Sequence, residues 1–334
     1  MNLLKTWLLV VSLFCSFTYA NSEQLSLNGN WQFSNATFDD PNTLLAANYA
    51  DWDILTVPGN WDTHAKYSEF SGKGYYQKTF TPPAHWQNKH IRLKFSAVYQ
   101  TAKVWINGHL LGKHVGGYTP FEFEISQYLR FGKDNSVVVM ADNTYHRGAW
   151  WAWGGISRDV TLIAEQDTRI VYQHISSGPD FAQQTIKFTI KYKIQNYTDK
   201  ALSQTIHSEI LDAKQQKKAF SLQVKLPANQ SIIRTTSFVE KLSAYKLWDL
   251  QQPNLYTLDT KLTEQSKVVA AHKDSFGIRK FEVRGEQFFL NNQAVRLNGV
   301  NRVHDHPDFG NTEPDELVLK DLQDIKLLGG ISRG

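Results

Sequence analysis

The sequence predicts a mainly β protein that finishes in a single β–loop–α unit. Short runs of alternating apolar and polar residues, separated by turn residues, fill most of the chain. Their period of two is that of strands with one face on a core and one in water. A helical pattern appears only in the last twenty or so of the 334 residues. That length sets an expectation of about two or three domains.

The first element is N-terminal. Residues 1–5 carry one positive charge, residues 6–17 are apolar, and Thr18-Tyr19-Ala20 closes the run with a small residue. This is a secretory signal-peptide pattern over residues 1–20. The apolar run is shorter than the ~20 residues a membrane-spanning helix needs. Export to the periplasm or the exterior is therefore expected, with no membrane association. Cys15, the only cysteine, lies inside this segment. The exported chain would have no disulfide, and its cores must carry its stability.

Residues 21–165 form an aromatic-rich β block. Ala102-Lys103-Val104-Trp105-Ile106 reads as a strand, and Asn107-Gly108 after it is the strongest short hairpin signal. Phe121-Glu122-Phe123-Glu124-Ile125 alternates strictly, and Ser136-Val137-Val138-Val139-Met140 reads as a buried strand. Short strands with these turns indicate a sandwich or jelly roll. Residues 166–282 are more polar and richer in lysine. Ile186, Phe188, Ile190, Tyr192 and Ile194 alternate perfectly, and Leu222, Val224 and Leu226 repeat the pattern. This spacing fits an immunoglobulin-like sandwich without its disulfide.

Residues 283–334 differ. Val295-Arg296-Leu297-Asn298-Gly299-Val300 reads as a strand, followed by a loop at 301–311 rich in charged and ring side chains. A helix is expected next, capped by Thr312, with Pro314 and the acids Glu313, Asp315 and Glu316 at its positive end. Val318, Leu322 and Ile325 fall on one face, and Gly329-Gly330 ends it. One β–loop–α unit cannot bury both faces of its strand, so it reads as the first step of a larger α/β structure.

Composition excludes little. The formal net charge is +4, and Lys and Arg are scattered, with no run longer than Lys217-Lys218. A nucleic-acid partner needs a concentrated basic face, and none is visible. Ten Trp and fourteen Tyr suit sheet cores, and also a surface that stacks sugar rings. Asn35, Asn196 and Asn229 begin N-x-S/T acceptor triplets, which matter only in a eukaryotic secretory route.

Seven stretches carry a family resemblance. They are Val57-Pro58-Gly59-Asn60-Trp61-Asp62, Gly74-Tyr75-Tyr76-Gln77-Lys78-Thr79-Phe80, Val104-Trp105-Ile106-Asn107-Gly108, Gly116-Gly117-Tyr118-Thr119-Pro120-Phe121, Gly155-Ile156-Ser157-Arg158-Asp159-Val160, Trp248 with Pro253-Asn254-Leu255-Tyr256, and Phe276-Gly277-Ile278-Arg279 leading to Leu297-Asn298-Gly299-Val300-Asn301-Arg302. Each is weak alone. In this order the chain resembles the N-terminal part of a family-2 glycoside hydrolase of the β-galactosidase/β-glucuronidase type. The resemblance implies a jelly-roll sugar-binding-like domain, an immunoglobulin-like sandwich and the start of a (β/α)8 barrel, whose active site lies at the C-terminal ends of its strands.

The resemblance also implies the reaction. Retaining glycosidases use two carboxyl groups about 5 Å apart. In this family both are glutamates on later barrel strands, and the acid/base follows an asparagine. The sequence contains no Asn-Glu dipeptide and no Ser-His-Tyr-Pro stretch, and the family pattern stops near Ser332-Arg333. The expectation is a truncated chain, inactive alone, with no catalytic residue, metal or cofactor of its own. Its partner would be a β-linked carbohydrate, and a homo-oligomer of the full-length enzyme is compatible with the sequence.

Sugar contacts are expected from Arg302, His304, Asp305 and His306. Many relatives carry His-Glu directly after Asn-Arg. Here Val303 intervenes, so either a bulge returns His304 to the pocket or Val303 replaces the contact. His304, Asp305, His306 and Asp308 match no strong metal-site spacing. A second group is Trp151 and Arg147, beside Trp150, Trp153 and His146. Relatives often place an aspartate in this loop, where Ala149 stands here, and an arginine nearby would favour an acidic sugar. The competing class is a non-catalytic carbohydrate-binding β-sandwich protein, in which an orphan β–α unit would have no purpose.

Overall fold

The computed structural model describes residues 22–38, 40–145, 151–213 and 216–328. The expected signal peptide, Arg147 with its neighbours His146, Ala149 and Trp150, the helix-ending Gly329-Gly330, and Ser332-Arg333 lie outside the described residues.

The first block is a sandwich of two antiparallel sheets. Its strands are β1 (Glu23–Ser26), β2 (Gly29–Ser34), β3 (Asp53–Val57), β4 (Lys73–Phe80), β5 (His90–Phe95), β6 (Thr101–Ile106), β7 (His109–Val115), β8 (Phe121–Glu124), β9 (Asn135–Asp142) and β10 (Val160–Glu165), with a short helix α1 (Pro41–Leu45) after β2. One sheet runs β3-β2-β4-β9-β6-β7 and the other β1-β10-β5-β8. The aromatic residues sit between them: Trp31, Phe33, Trp61, Tyr76, Trp86 and Phe95 are buried in a single cluster with Leu93, Val104, Val139 and Leu162. Offset and edge-on rings suit such a core; Phe33 meets Tyr67 and Tyr76 at centroid distances of 4.8 Å each. The Asn107-Gly108 hairpin forms as expected. Both residues have positive φ, 48° and 87°, as a two-residue turn of the primed type requires.

The second block contains β11 (Thr168–Asp180), β12 (Thr185–Asn196), β13 (Leu202–Leu211), β14 (Gln216–Leu226), β15 (Ser231–Lys241), β16 (Tyr256–Glu264) and β17 (Lys267–Phe276). The three-stranded sheet β11-β12-β15 packs on the four-stranded sheet β14-β13-β16-β17. The alternation in β12 decides its orientation. Ile186, Phe188, Ile190, Tyr192 and Ile194 are all fully buried, facing Ile206, Ile210, Leu258 and Leu262 from the other sheet. Tyr192 is the one with a polar end, and its hydroxyl pairs with Ser208 Oγ at 2.7 Å. The mainly β, two-sandwich fold class is thus borne out.

The last region departs from expectation. A small antiparallel meander, β18 (Phe281–Arg284), β19 (Gln287–Leu290) and β20 (Gln293–Val295), precedes an irregular run at 296–305 and the helix α2 (Asp315–Leu327). The strand expected at 295–300 stops at Val295. A barrel strand takes its shape from ladders with its neighbours, and among the described residues none pairs with 296–300. Leu297 and Val300 are exposed there. The helix start also differs. Pro314 occupies the capping position with extended backbone and no side-chain cap, and Thr312 instead turns back to donate to the Phe309 carbonyl at 2.6 Å. Asp315 and Glu316 do occupy the first turn, as the helix dipole favours. Val318 and Ile325 are half-buried and Leu322 is exposed. No helix among the described residues is long and apolar enough to cross a membrane.

Candidate functional site

Two segments far apart in sequence meet at one edge of the first sandwich. The first is 151–155, in the connection from β9 to β10. A short turn at Asn60-Trp61-Asp62 builds it from below. The backbone N–H of Trp61 donates to the Gly154 carbonyl at 3.1 Å, and Gly59 N–H donates to Ile156 at 2.9 Å. Asn60 Nδ2 donates to the same Gly154 carbonyl at 3.3 Å. Asp62 accepts twice: from Trp151 Nε1 at 3.1 Å and from the Gly154 N–H at 2.7 Å. Gly154 is a necessity of this packing, because a Cβ there would fall 2.0 Å from the Trp61 ring. Burial is the larger influence on Asp62 and pushes its carboxyl up to about 6, against the two donated hydrogen bonds.

The second segment is the 301–311 loop. Arg302 reaches α2, where Nε and Nη2 donate to Asp321 Oδ2 at 2.9 and 2.6 Å, and its Nη2 also meets Glu313 at 2.9 Å. His304 Nδ1 lies 2.6 Å from Glu313 Oε2 and 3.2 Å from Arg302 Nη1. Arginine only donates, so this nitrogen cannot serve both neighbours at once. The shorter contact, to a carboxylate, assigns a proton to Nδ1. Asp305 Oδ1 accepts from Trp153 Nε1 at 2.9 Å, which joins the loop to the first segment. Asn311 N–H donates to Asn60 Oδ1 at 3.0 Å, and Arg158 donates to the Asn311 carbonyl at 2.6 Å. Gly310, at φ 58°, passes so close to Asn60 that a Cβ would lie 2.4 Å from its side-chain oxygen. One turn, Asn60 to Asp62, therefore seats both segments.

Between them lies an open cleft of about 600 Å3, lined by Tyr118, Trp151, Trp153 and the run from Val300 to Asp305. Four expected site residues, Trp151, Arg302, His304 and Asp305, come together here. Val303 and His304 both line it, so the inserted valine displaces neither. His306 does not line it. Its backbone pairs with Gly310, its Nδ1 accepts from Asp308 N–H at 3.1 Å, and its ring packs on Phe309 at 4.8 Å, so it shapes the turn behind the cleft. Sequence reasoning missed Asp62, Asn60, Glu313 and Asp321 as partners of this site. Glu313 was assigned to the helix dipole. No local signal reveals that Asp62 faces residues 89 and 92 positions away.

Chemically, the cleft offers an aromatic wall and a polar floor. Trp151 and Trp153 are tilted against each other with ring centroids 6.1 Å apart, and Trp151 is half-exposed. The Arg302 charge is already met by two carboxylates, so it orients more than it attracts.

Comparison with known proteins decides the family. The family model described as "Glycosyl hydrolases family 2, sugar binding domain" matches residues 25–166, and the model "Glycosyl hydrolases family 2" matches residues 168–279. The chain belongs to glycoside hydrolase family 2. It is 29% identical over 322 residues to a putative beta-glucuronidase of Formosa agariphila, covering 91% of this chain and 37% of that protein. It is 28% identical to a beta-galactosidase of Thermoanaerobacter pseudethanolicus, covering 85% and 39%. Among solved structures, a putative beta-galactosidase from Bacteroides fragilis aligns with a TM-score of 0.83 at 28% identity over 93% of this chain and 49% of that one. The beta-glucuronidase 2 of Bacteroides uniformis shares the fold with a TM-score of 0.84 at 24% identity, over 92% and 39%. The family 2 chain thus spans less than half the length of these relatives.

Proposed function

We propose that this family 2 chain forms the substrate-facing N-terminal part of a retaining β-glycosidase of the β-galactosidase or β-glucuronidase type. In this reading residues 21–165, 166–282 and 283–334 are its jelly-roll, immunoglobulin-like and incipient barrel domains, and residues 1–20 direct its export. The supporting observation is the cleft in which Trp151 and Trp153 of the sandwich meet Arg302, His304 and Asp305 of the barrel entry. Indole faces suit the apolar face of a pyranose, and the polar groups beside them suit its hydroxyls. Relatives named for both activities match the chain across most of its length. Residues 1–334 contain no Asn-Glu dipeptide for the acid/base role, and the part of the cleft residues named here is to bind and orient the sugar.

The test uses the chain with methyl β-galactoside, methyl β-glucuronide and the corresponding nitrophenyl glycosides. Saturable binding weakened by Trp151→Ala, with neither nitrophenyl glycoside cleaved, is expected. Cleavage by the chain alone would overturn the division of labour. Absence of any saturable sugar binding would overturn the reading of the cleft.

A further inference from the structure

We infer that Asp62 is the positioning residue of the cleft, a buried carboxylate that clamps the 151–154 segment and so fixes where the Trp151 ring stands. The inference rests on the cleft being a ligand site, as proposed above. Each oxygen of Asp62 takes a different kind of donor from the same short segment, the side-chain Nε1–H of Trp151 and the backbone N–H of Gly154. Together they fix the path of the backbone and the rotamer of the indole. Asp62 itself is only 8% exposed, whereas the ring it holds is 50% exposed on the cleft wall. The anchor is dry and the surface it presents is wet.

The scaffold side is rigid. Asp62 lies in the short 3-10 turn Trp61–Thr63. Trp61 is fully buried, donates to the Phe70 carbonyl at 3.1 Å and packs on Phe33 and Tyr76. Two positions before Asp62, Asn60 holds the opposing loop through Asn311. Movement of this turn would shift both walls together. Both donors to Asp62 are neutral N–H groups, so its charge is spent on orientation rather than on an ion pair. Burial alone disfavours that charge, and the carboxyl is accordingly held well above the usual aspartate range.

Asp62→Asn replaces one acceptor oxygen with a donor, which then faces an N–H. Losing one charge-assisted hydrogen bond raises the unclamped fraction of the segment by about tenfold or more. The measurement is acrylamide quenching of Trp151, taken as the difference between each protein and its Trp151→Phe counterpart, with thermal unfolding recorded alongside. The expected result is stronger quenching of Trp151 in Asp62→Asn while the cooperative unfolding transition persists. Unchanged quenching in a folded Asp62→Asn protein would overturn the inference. A second measurement needs no variant at Asp62: solvent exchange of the Trp151 indole N–H, identified by its loss in Trp151→Phe. Slow exchange is expected despite the half-exposed ring, and exchange as fast as a free indole would overturn the clamp. Neither readout requires sugar. A clamp that passes both tests stands even where methyl β-galactoside and methyl β-glucuronide fail to bind, and only the sugar reading is then lost.

Discussion

Gly154 and Asp62 show how much of the cleft is decided by single residues. Gly154→Ala would drive a methyl group into the Trp61 ring, at 2.0 Å. A cost of about 1–3 kcal/mol or more is expected, because the ring is boxed in and cannot yield; a lowered unfolding midpoint by thermal melting checks it. Asp62 makes a second prediction, about pH. Its folded carboxyl sits at about 6, above the ~3.9 of an unfolded aspartate. The native chain therefore holds the proton more tightly than the unfolded one. The stability this confers is fully present below the unfolded value and is lost as pH rises through the folded value. The titratable group that feels the Asp62 charge is the buried Tyr76 hydroxyl, itself pushed above its ordinary range, first by burial, and neutral throughout this window. Stability measured by urea unfolding between about pH 4 and pH 6 should thus fall less steeply with rising pH in Asp62→Asn than in the parent. Equal slopes would place the raised proton affinity elsewhere.

Among the elements, β12 was the most legible in the sequence and the region after Val295 the least. In β12 every second side chain is apolar, and period alone assigns Phe188 to the core. Phe188→Ala should cost about 3–5 kcal/mol, read as a loss of that size in the free energy of unfolding. The Asn107-Gly108 turn was legible for an equally local reason, since few residues accept left-handed backbone twice in succession. Residues 296–300 misled because a strand is a property of pairs. Their apolar pattern is real, but no partner among the described residues completes a ladder. Thr312 misled because Pro314, with extended backbone, delays the helix beyond the reach of its hydroxyl. The cleft was legible in part. Arg302, His304, Asp305 and Trp151 could be picked out by their place in the family pattern. Their partners Asp62, Glu313 and Asp321 depend on how the loops fold over one another, and that information is not local. Arg147 lies outside the described residues.

At the scale of the molecule, the two sandwiches are joined tightly. β10 ends at Glu165 and β11 begins at Thr168, leaving Gln166 and Asp167 as the link. Across the junction Arg92, Glu122, Glu165 and Arg169 form a closed ring of alternating charge. Arg92 binds Glu165 at 2.9 Å and also binds Glu122, while Arg169 meets Glu122 at 2.7 Å and Glu165 at 3.5 Å. Burial pulls the Glu122 carboxyl upward, but Arg169 and Arg92 outweigh it and hold it below its ordinary value. Arg92 is nearly fully buried, and removing it leaves Glu122 and Glu165 to share Arg169 alone. Arg92→Ala is expected to cost about 1–3 kcal/mol, the scale of lost hydrogen bonds to charged groups. It should also loosen the coupling between the sandwiches, seen in calorimetry as a broadened or divided transition where the parent has one. An unchanged, single transition would show that Arg92 is not what couples them, leaving contacts such as the His90–Tyr197 ring stack at 4.4 Å.

The Asn107-Gly108 turn carries a consequence for how the protein ages. Asparagine followed by glycine loses its amide spontaneously, because the next backbone nitrogen can attack the side-chain carbonyl carbon. That attack requires the side chain to swing freely. Here Asn107 Nδ2 donates to the Tyr128 carbonyl and to Asn135, each at 2.7 Å, while its oxygen accepts from Ser136 N–H at 2.9 Å and Arg130 at 3.1 Å. The folded chain therefore shields its most perishable hairpin, and the unfolded chain exposes it. Conversion at Asn107, followed by peptide mass over weeks of storage, becomes a clock that runs only while the first sandwich is open.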